Sequence, residues 1–367
     1  IFLNQLNVLI FTLLKQYNRK EWRLLMLAAI LNKQNEDLIL DDVEAFALDV
    51  GQVLVKVEAS SVCGRQIAEI TGRKGEDHYL PHLLGHEGCG VVEDIGLGVT
   101  TVKTGDKVVM HWRKGEGIES TFPRYKWGSQ IIGGGLITTL SEKSVVAENR
   151  ITKIPDDIPA DVASLLGCAT TTGLGLVNNE ADLKIGQSIV VIGAGGVGLN
   201  VIQAAKLVSA NPIIAVDIHK DKLAKALEMG ATAVIDNSIT NIREALDNLN
   251  LKKIDVVVET VGFPALIEIA YSIASAGGKL ILVGQPDFRQ SLTIEGFSNN
   301  IKGLTVKDSE GGLTQPSVDI PRYVNLYQSG VLKLHELITN TYSLKNINEA
   351  ISDMKDGKVV GKCIIKM

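Results

Sequence analysis

A chain of 367 residues is longer than a single hydrophobic core usually serves, so two domains are expected. Hydrophobic side chains make up 45% and charged ones 22%, the balance of a soluble globular protein. With 37 basic against 42 acidic side chains the formal net charge is −5, which argues against a nucleic-acid binder and its basic face.

The chain opens on an apolar run, Val8 to Leu14, followed rather than preceded by Lys15, Arg19, Lys20 and Arg23. That order is the reverse of a secretory signal, and no stretch here reaches the roughly 20 apolar residues of a membrane span. Residues 1–25 are therefore expected to lie outside the fold, with a surface amphipathic helix as the alternative. From Met26 to about Asn149, short strands alternate with glycine-rich turns. Examples are Val53–Glu58, Gly90–Ile95 and Asp106–Met110, punctuated by Gly51, Gly96, Gly98 and Gly105. This predicts an antiparallel, β-rich domain.

From about Leu183 the pattern changes. Apolar strands at Ser188–Ile192, Ile213–Val216, Ala233–Ile235, Ile254–Val258 and Leu280–Val283 alternate with helices starting near Gly196, His219, Asn241 and Pro264. Strand-helix alternation predicts a parallel sheet covered on both faces. The stretch Ile320–Met367 adds a helix, a short strand, a second helix over Ile347–Lys355 and a closing strand over Val359–Ile365. The fold class is α/β, with a β-rich domain beside a doubly wound parallel sheet.

Gly193, Gly195 and Gly198 fit G-x-G-x-x-G at the end of one strand and the start of a helix. The first glycine permits the tight turn, the second the approach of a pyrophosphate, the third close helix–strand packing. The helix N-terminus then offers free N–H groups to the phosphates. Asp217 ends the next strand, where a carboxylate accepts the ribose hydroxyls of NAD and repels the 2′-phosphate of NADP. The bland alternative, an ordinary glycine-rich turn, does not account for Asp217.

Cys63, His86 and Cys168 each have an ordinary reading as core residues. Together, two thiolates and an imidazole make a three-ligand zinc site with one open position, able to polarise an alcohol. Glu87, beside His86, is a candidate supporting or transient ligand. The four cysteines, Cys63, Cys89, Cys168 and Cys363, are too few and scattered for a disulfide framework, and reduced thiols imply a cytoplasmic protein.

The motifs Gly85-His86-Glu87, Gly105-Asp106-Lys107-Val108-Val109, Gly167-Cys168 with Thr172-Gly173, Gly195-Gly196-Val197-Gly198, Val216-Asp217-Ile218 and Gly230-Ala231-Thr232 occur in this order. From Met26 to Met367 the chain resembles the zinc-containing alcohol dehydrogenases of the medium-chain dehydrogenase/reductase superfamily. The resemblance implies a GroES-like catalytic domain over 26–173, a Rossmann domain over 174–305 and a return over 306–367 that completes the catalytic domain. It implies one catalytic zinc on Cys63, His86 and Cys168, with Glu87 in the catalytic set. NAD would be held by Thr172, Gly193, Gly195, Gly196, Val197, Gly198, Asp217 and Lys222. It further implies a small alcohol or carbonyl substrate and a homodimer or homotetramer paired through an edge of the Rossmann sheet, with Lys279–Val283 and the following segment as candidates. Neither a nucleic acid nor a membrane is an expected partner.

Two departures stand out. Arg65 and Gln66 occupy positions where many relatives carry a proton-passing hydroxyl and an aspartate that orients the histidine ligand. No cysteine falls between Met110 and Ala160, so the usual structural-zinc lobe is absent. The cations Arg65, Arg113, Lys114, Arg124 and Lys126 are read in two ways of at least equal weight: a solvated basic loop, or the recognition of an anionic or sugar-type alcohol substrate with Trp112 lining its pocket. Two other functions are weighed. A zinc-free quinone or enone reductase would lack the Cys-His-Cys set and often prefer NADPH. A non-catalytic dinucleotide-binding protein would not be expected to retain a complete ligand triplet.

Overall fold

A computed structural model describes residues 24–251, 253–294 and 302–367. Most of the expected N-terminal extension, residues 1–23, lies outside the described residues. The first strand starts at Leu24, two positions before the sequence pattern suggests.

The β-rich half has two assemblies. A small closed barrel is built from β1 (Leu24–Leu31), β2 (Ile39–Ala45), β4 (His82–Leu83), β7 (Arg124–Trp127) and β8 (Gln130–Gly133). Beside it runs a seven-stranded sheet of β3 (Gln52–Val62), β5 (Glu87–Ile95), β6 (Lys107–His111), β9 (Lys143–Ala147), β10 (Ile151–Lys153), β17 (Ile338–Ser343) and β18 (Lys362–Lys366). β3 is its spine. It pairs with β5, β9 and β18, and only Lys56 and Glu58 of its residues reach solvent, because both ends are covered on both faces. β18 runs between β3 and β17, so a strand from the far end of the chain completes a sheet begun near its start.

The second half is a six-stranded parallel sheet. Its strands are β11 (Ile189–Ile192), β12 (Ile213–Asp217), β13 (Ala233–Asp236), β14 (Val256–Glu259), β15 (Lys279–Leu282) and β16 (Thr305–Asp308), in the order β13-β12-β11-β14-β15-β16. This is the doubly wound order with its switch point beside β11. β11 and β14 are wholly buried runs of apolar residues with one Glu, as expected for strands covered on both faces. The crossover helices Gly196–Leu207, Lys220–Met229, Ile242–Asn248 and Pro264–Ile273 fall where the apolar periodicity places them.

One expectation is corrected. β15 is an interior strand, bonded to β14 on one side and to β16 on the other. Among the described residues the edge on that side belongs to β16, in the segment that follows β15, which carries the sheet to Asp308. β16 has only four residues, three of them exposed, so it lacks the apolar run that marks the buried strands.

Candidate active site

Three separate elements bring the predicted ligands together. Cys63 directly follows β3 and caps the helix Gly64–Ile70: its Sγ accepts from the Arg65 N–H at 3.3 Å, while its own N–H donates to Gln66 Oε1 at 2.7 Å. His86 follows Gly85, whose φ of +104° and contact with Thr139, at 2.4 Å from any added Cβ, admit only glycine. Cys168 sits between the short turn Leu165–Gly167 and the helix Ala169–Gly175. Gly167 lets that turn lie against β5 and β6, since a Cβ there would fall 2.4 Å from the Met110 carbonyl oxygen and 2.9 Å from Glu87 Cα.

One ligand atom each of Cys63, His86, Glu87 and Cys168 lies within 4.8 Å of the others. Cys63 Sγ is 3.4 Å from His86 Nε2. Tetrahedral zinc with ordinary Zn–S and Zn–N lengths sets such a pair about 3.6 Å apart, so the donor set fits that ion in both chemistry and spacing. The hydrogen bond shared with Cys168, aided by His86 and Lys362, holds the Cys63 thiol well below its ordinary range. The same bond and burial push Cys168 up.

Behind the cluster lies a residue that the sequence did not single out. Lys362, on β18, places Nζ 2.6 Å from Glu87 Oε1, and both side chains are buried. Burial pushes the Glu87 carboxyl up against the pull of Lys362. Burial lowers Lys362, but Glu87, Cys63 and Cys168 outweigh it and keep the ammonium charged. Its stem also crosses the glycine-rich turn, where a Cβ on Gly196 would meet Lys362 Cδ at 2.6 Å. One lysine thus touches both predicted sites.

The turn itself has the tight geometry that its glycines lead one to expect. Gly193 takes φ +97°, Gly198 lies so close to the Gly193 carbonyl that a Cβ would sit 1.9 Å from its oxygen, and Gly195 faces open space. Asp217 Oδ2 accepts from the Ala194 N–H at 2.8 Å, and Oδ1 from Ile218 and His219 at 2.8 and 3.0 Å. These bonds fix the carboxylate at the mouth of the turn. Lys222 lines a neighbouring recess of about 360 Å³ with His219 and Lys358. Thr172 lies in the helix Ala169–Gly175, which packs on the helix Gly196–Leu207 through Gly173 and Asn200.

The predicted cation cluster does not assemble. Arg113 donates to the main-chain oxygens of Glu310 and Thr314, Lys114 pairs with Glu119, and Lys126 pairs with Glu44 on the barrel. Arg124 is on the same barrel strand as Lys126. Arg65 alone faces the space between the two halves, donating to Gln285 Oε1 at 3.3 Å. The Trp112 ring packs on Gly311, where a Cβ would meet it at 2.6 Å.

Comparison with known proteins agrees with this arrangement. The alcohol dehydrogenase GroES-like domain family matches residues 49–156, and the zinc-binding dehydrogenase family matches residues 196–328. The chain is 32% identical to alcohol dehydrogenase 6 of Peromyscus maniculatus, over 92% of this chain and 96% of that protein. It is 30% identical to the NDMA-dependent alcohol dehydrogenase of Amycolatopsis methanolica, over 90% and 96% respectively. The crystal structure of benzyl alcohol dehydrogenase from Acinetobacter calcoaceticus, 27% identical, superposes with a TM-score of 0.84 over 94% of this chain and 99% of that one. The chain belongs to the zinc-binding alcohol dehydrogenase family of medium-chain dehydrogenase/reductases, whose cofactors are zinc and a nicotinamide dinucleotide.

Proposed function

We propose that this enzyme binds one catalytic zinc per subunit through Cys63, His86 and Cys168 and interconverts a small uncharged alcohol and its carbonyl compound with NAD. The observation that carries the reading is the convergence of two thiols, one imidazole and one carboxyl within 4.8 Å, beside the dinucleotide turn. Zinc held there would supply a Lewis acid for the alcohol oxygen, and the dinucleotide would supply a hydride acceptor. The protein's part is positional. Glu87, held by Lys362, stands behind the metal ligands and keeps a carboxylate available to them. Gly193, Gly195, Gly196, Val197 and Gly198 would cradle the pyrophosphate, Asp217 would take the ribose hydroxyls, Lys222 would serve the adenosine side, and Thr172 the nicotinamide. Asp217 disfavours NADP because its fixed carboxylate would meet a phosphate dianion. The dispersal of Arg113, Lys114, Arg124 and Lys126 supports an uncharged substrate over an anionic one.

A cytoplasmic location suits two thiols that must stay reduced to bind metal. The edge of β16 suits antiparallel pairing with a second copy, giving a homodimer. Light scattering should then report twice the subunit mass, and Val306→Pro should reduce it to one.

The decisive experiment pairs metal analysis with NAD titration of Cys168→Ala. The unmodified protein should carry one zinc per chain and reduce NAD with simple alcohols. Cys168→Ala should lose both zinc and hydride transfer but keep NAD affinity within about threefold, because the turn and Asp217 lie on the other half of the molecule. Full activity without zinc would reject the reading.

A further inference from the structure

A second group of metal-ligating side chains converges among the described residues, and it shares no member with the cluster of Cys63, His86, Glu87 and Cys168. One atom each of Glu69, Asp77 and His82 lies within 4.8 Å of the others. Three elements supply them. Glu69 is in the last turn of the helix Gly64–Ile70, and Asp77 is in the loop that follows. His82 opens β4, which pairs with β1 of the small barrel. Asp77 and His82 are only 11% and 12% exposed, and Glu69, at 31%, is the member that reaches water.

The tautomer of His82 marks this group as a cation site. Its Nδ1 lies 2.8 Å from the Leu83 carbonyl oxygen, which can only accept, so Nδ1 carries the hydrogen of the neutral ring. The bare lone pair of Nε2 then faces Asp77 Oδ2 at 2.9 Å, acceptor against acceptor. A proton between them would serve two of the three groups; a metal ion serves all three. The spacing agrees. Ligands at adjacent corners of an octahedron, with bonds of about 2.1 Å, stand about 3.0 Å apart. Tetrahedral zinc would set a nitrogen and an oxygen about 3.4 Å apart. The ligands are also braced from outside, as metal ligands commonly are. Asp77 Oδ1 accepts from the Tyr79 N–H at 2.9 Å. The Gln34 amide donates to the Glu69 and Gly75 carbonyls at 3.2 and 3.0 Å, and its Oε1 accepts from the Asp77 N–H at 3.4 Å. Lys74 takes a single Glu69 oxygen, Oε2, at 3.4 Å.

We propose that Glu69, Asp77 and His82 bind a divalent cation in six-coordinate geometry, with waters in the remaining positions. Two carboxylates balance its charge, and a donor set rich in oxygen suits an ion such as manganese(II). The ion would tie the barrel, through His82, to the helix and to the loop 71–82. That loop meets the dinucleotide-binding half. The Phe288 N–H donates to the Arg73 carbonyl at 3.1 Å, and the Arg73 guanidinium lies 5.7 Å over the Phe263 ring. The cation therefore acts as a brace for the seam between the halves and takes no part in hydride transfer. With only three protein ligands it exchanges readily, so protein passed through metal-free buffer keeps the zinc content stated above.

The test is a manganese(II) titration of the purified protein, cleared of loosely held ions, in the unmodified chain, Asp77→Asn and His82→Gln. Loss of the free-ion EPR signal reports binding, and thermal unfolding with and without manganese(II) reports the brace. The unmodified protein should take up one ion per chain and unfold at a higher temperature with it. Each variant should bind about tenfold or more weakly and lose the gain in unfolding temperature. Absence of uptake at millimolar manganese(II) overturns the proposal and leaves His82 and Asp77 a simple ion pair. Unchanged affinity in either variant also overturns it, because an ion held by the cysteine cluster would not respond to these substitutions. Should Asp77→Asn fail to fold, Glu69→Gln, at the more exposed ligand, takes its place under the same criteria. The outcome is independent of whether the catalytic cluster carries zinc.

Discussion

Lys362 Nζ lies 2.6 Å from Glu87 Oε1 at the back of the metal-ligand cluster, while the stem of the same lysine lies over Gly196 of the dinucleotide turn. A strand from the end of the chain thus supplies the charge that balances a buried carboxylate on β5. Removing one partner of such a pair leaves an uncompensated buried charge, which typically costs about 3–5 kcal/mol. Lys362→Met should therefore lower the urea midpoint by that equivalent, and Glu87→Gln added to it should recover more than half of the loss. If Lys362→Met alone is neutral, the pair contributes nothing to the native state.

Asp217 is held by three main-chain N–H groups, so its carboxylate cannot swing away from an incoming 2′-phosphate. The ratio of kcat/KM for NAD over NADP should be large in the unmodified enzyme. Asp217→Ala should cut it at least tenfold, about 1.4 kcal/mol, chiefly through improved use of NADP. Equal use of both cofactors before mutation would contradict this role.

His111 makes two bonds as a neutral ring: Nδ1–H donates to the Arg113 carbonyl at 2.7 Å, and Nε2 accepts from the Thr152 hydroxyl at 2.9 Å. Burial pushes it down to about 4 from an ordinary value of 6.5. In that window the unfolded chain binds the proton and the folded one does not. The stability due to neutral His111 is complete above pH 6.5 and falls by about 1.4 kcal/mol for each unit of acidification until the folded value is reached. His111→Phe should be less stable than the unmodified protein near neutrality, and the gap should narrow at that rate below pH 6.5. Urea titrations at three pH values measure it; parallel curves would show that His111 is not the titrating group.

Much of the fold and site was legible because the relevant signals are local. The turn at Gly193–Gly198, the carboxylate ending β12 and the apolar strands β11, β12, β14 and β15 each announce themselves within a few residues. Cys63, His86 and Cys168 could be grouped only because their flanking glycines make a recognisable set. Lys362 left no such trace. It reads as a lysine in a closing strand, and its partner lies 275 positions away. Glu148 was equally silent, although its carboxylate accepts from the N–H groups of Thr100, Thr101 and Ile118 and ties two loops to its own turn. The cations near position 113 left two readings open: proximity along the chain put them together, and only the backbone shows their charges turned onto separate partners. β16 was missed as the sheet edge because an exposed four-residue strand carries no apolar pattern.

The placement of β18 between β3 and β17 has a consequence for how the enzyme is made. A ribosome delivers β3, β5 and the candidate ligands first, then the entire dinucleotide-binding half, and β18 only after that. The dinucleotide-binding half can fold as it emerges. The β-rich half, however, must wait with the slot beside β3 unfilled and Glu87 without its lysine. Until β18 docks, that slot is an exposed strand edge of the kind that chaperones and stray chains recognise. Pairing of Glu87 with Lys362 behind the candidate ligand cluster is therefore expected only after the dinucleotide-binding half has been made.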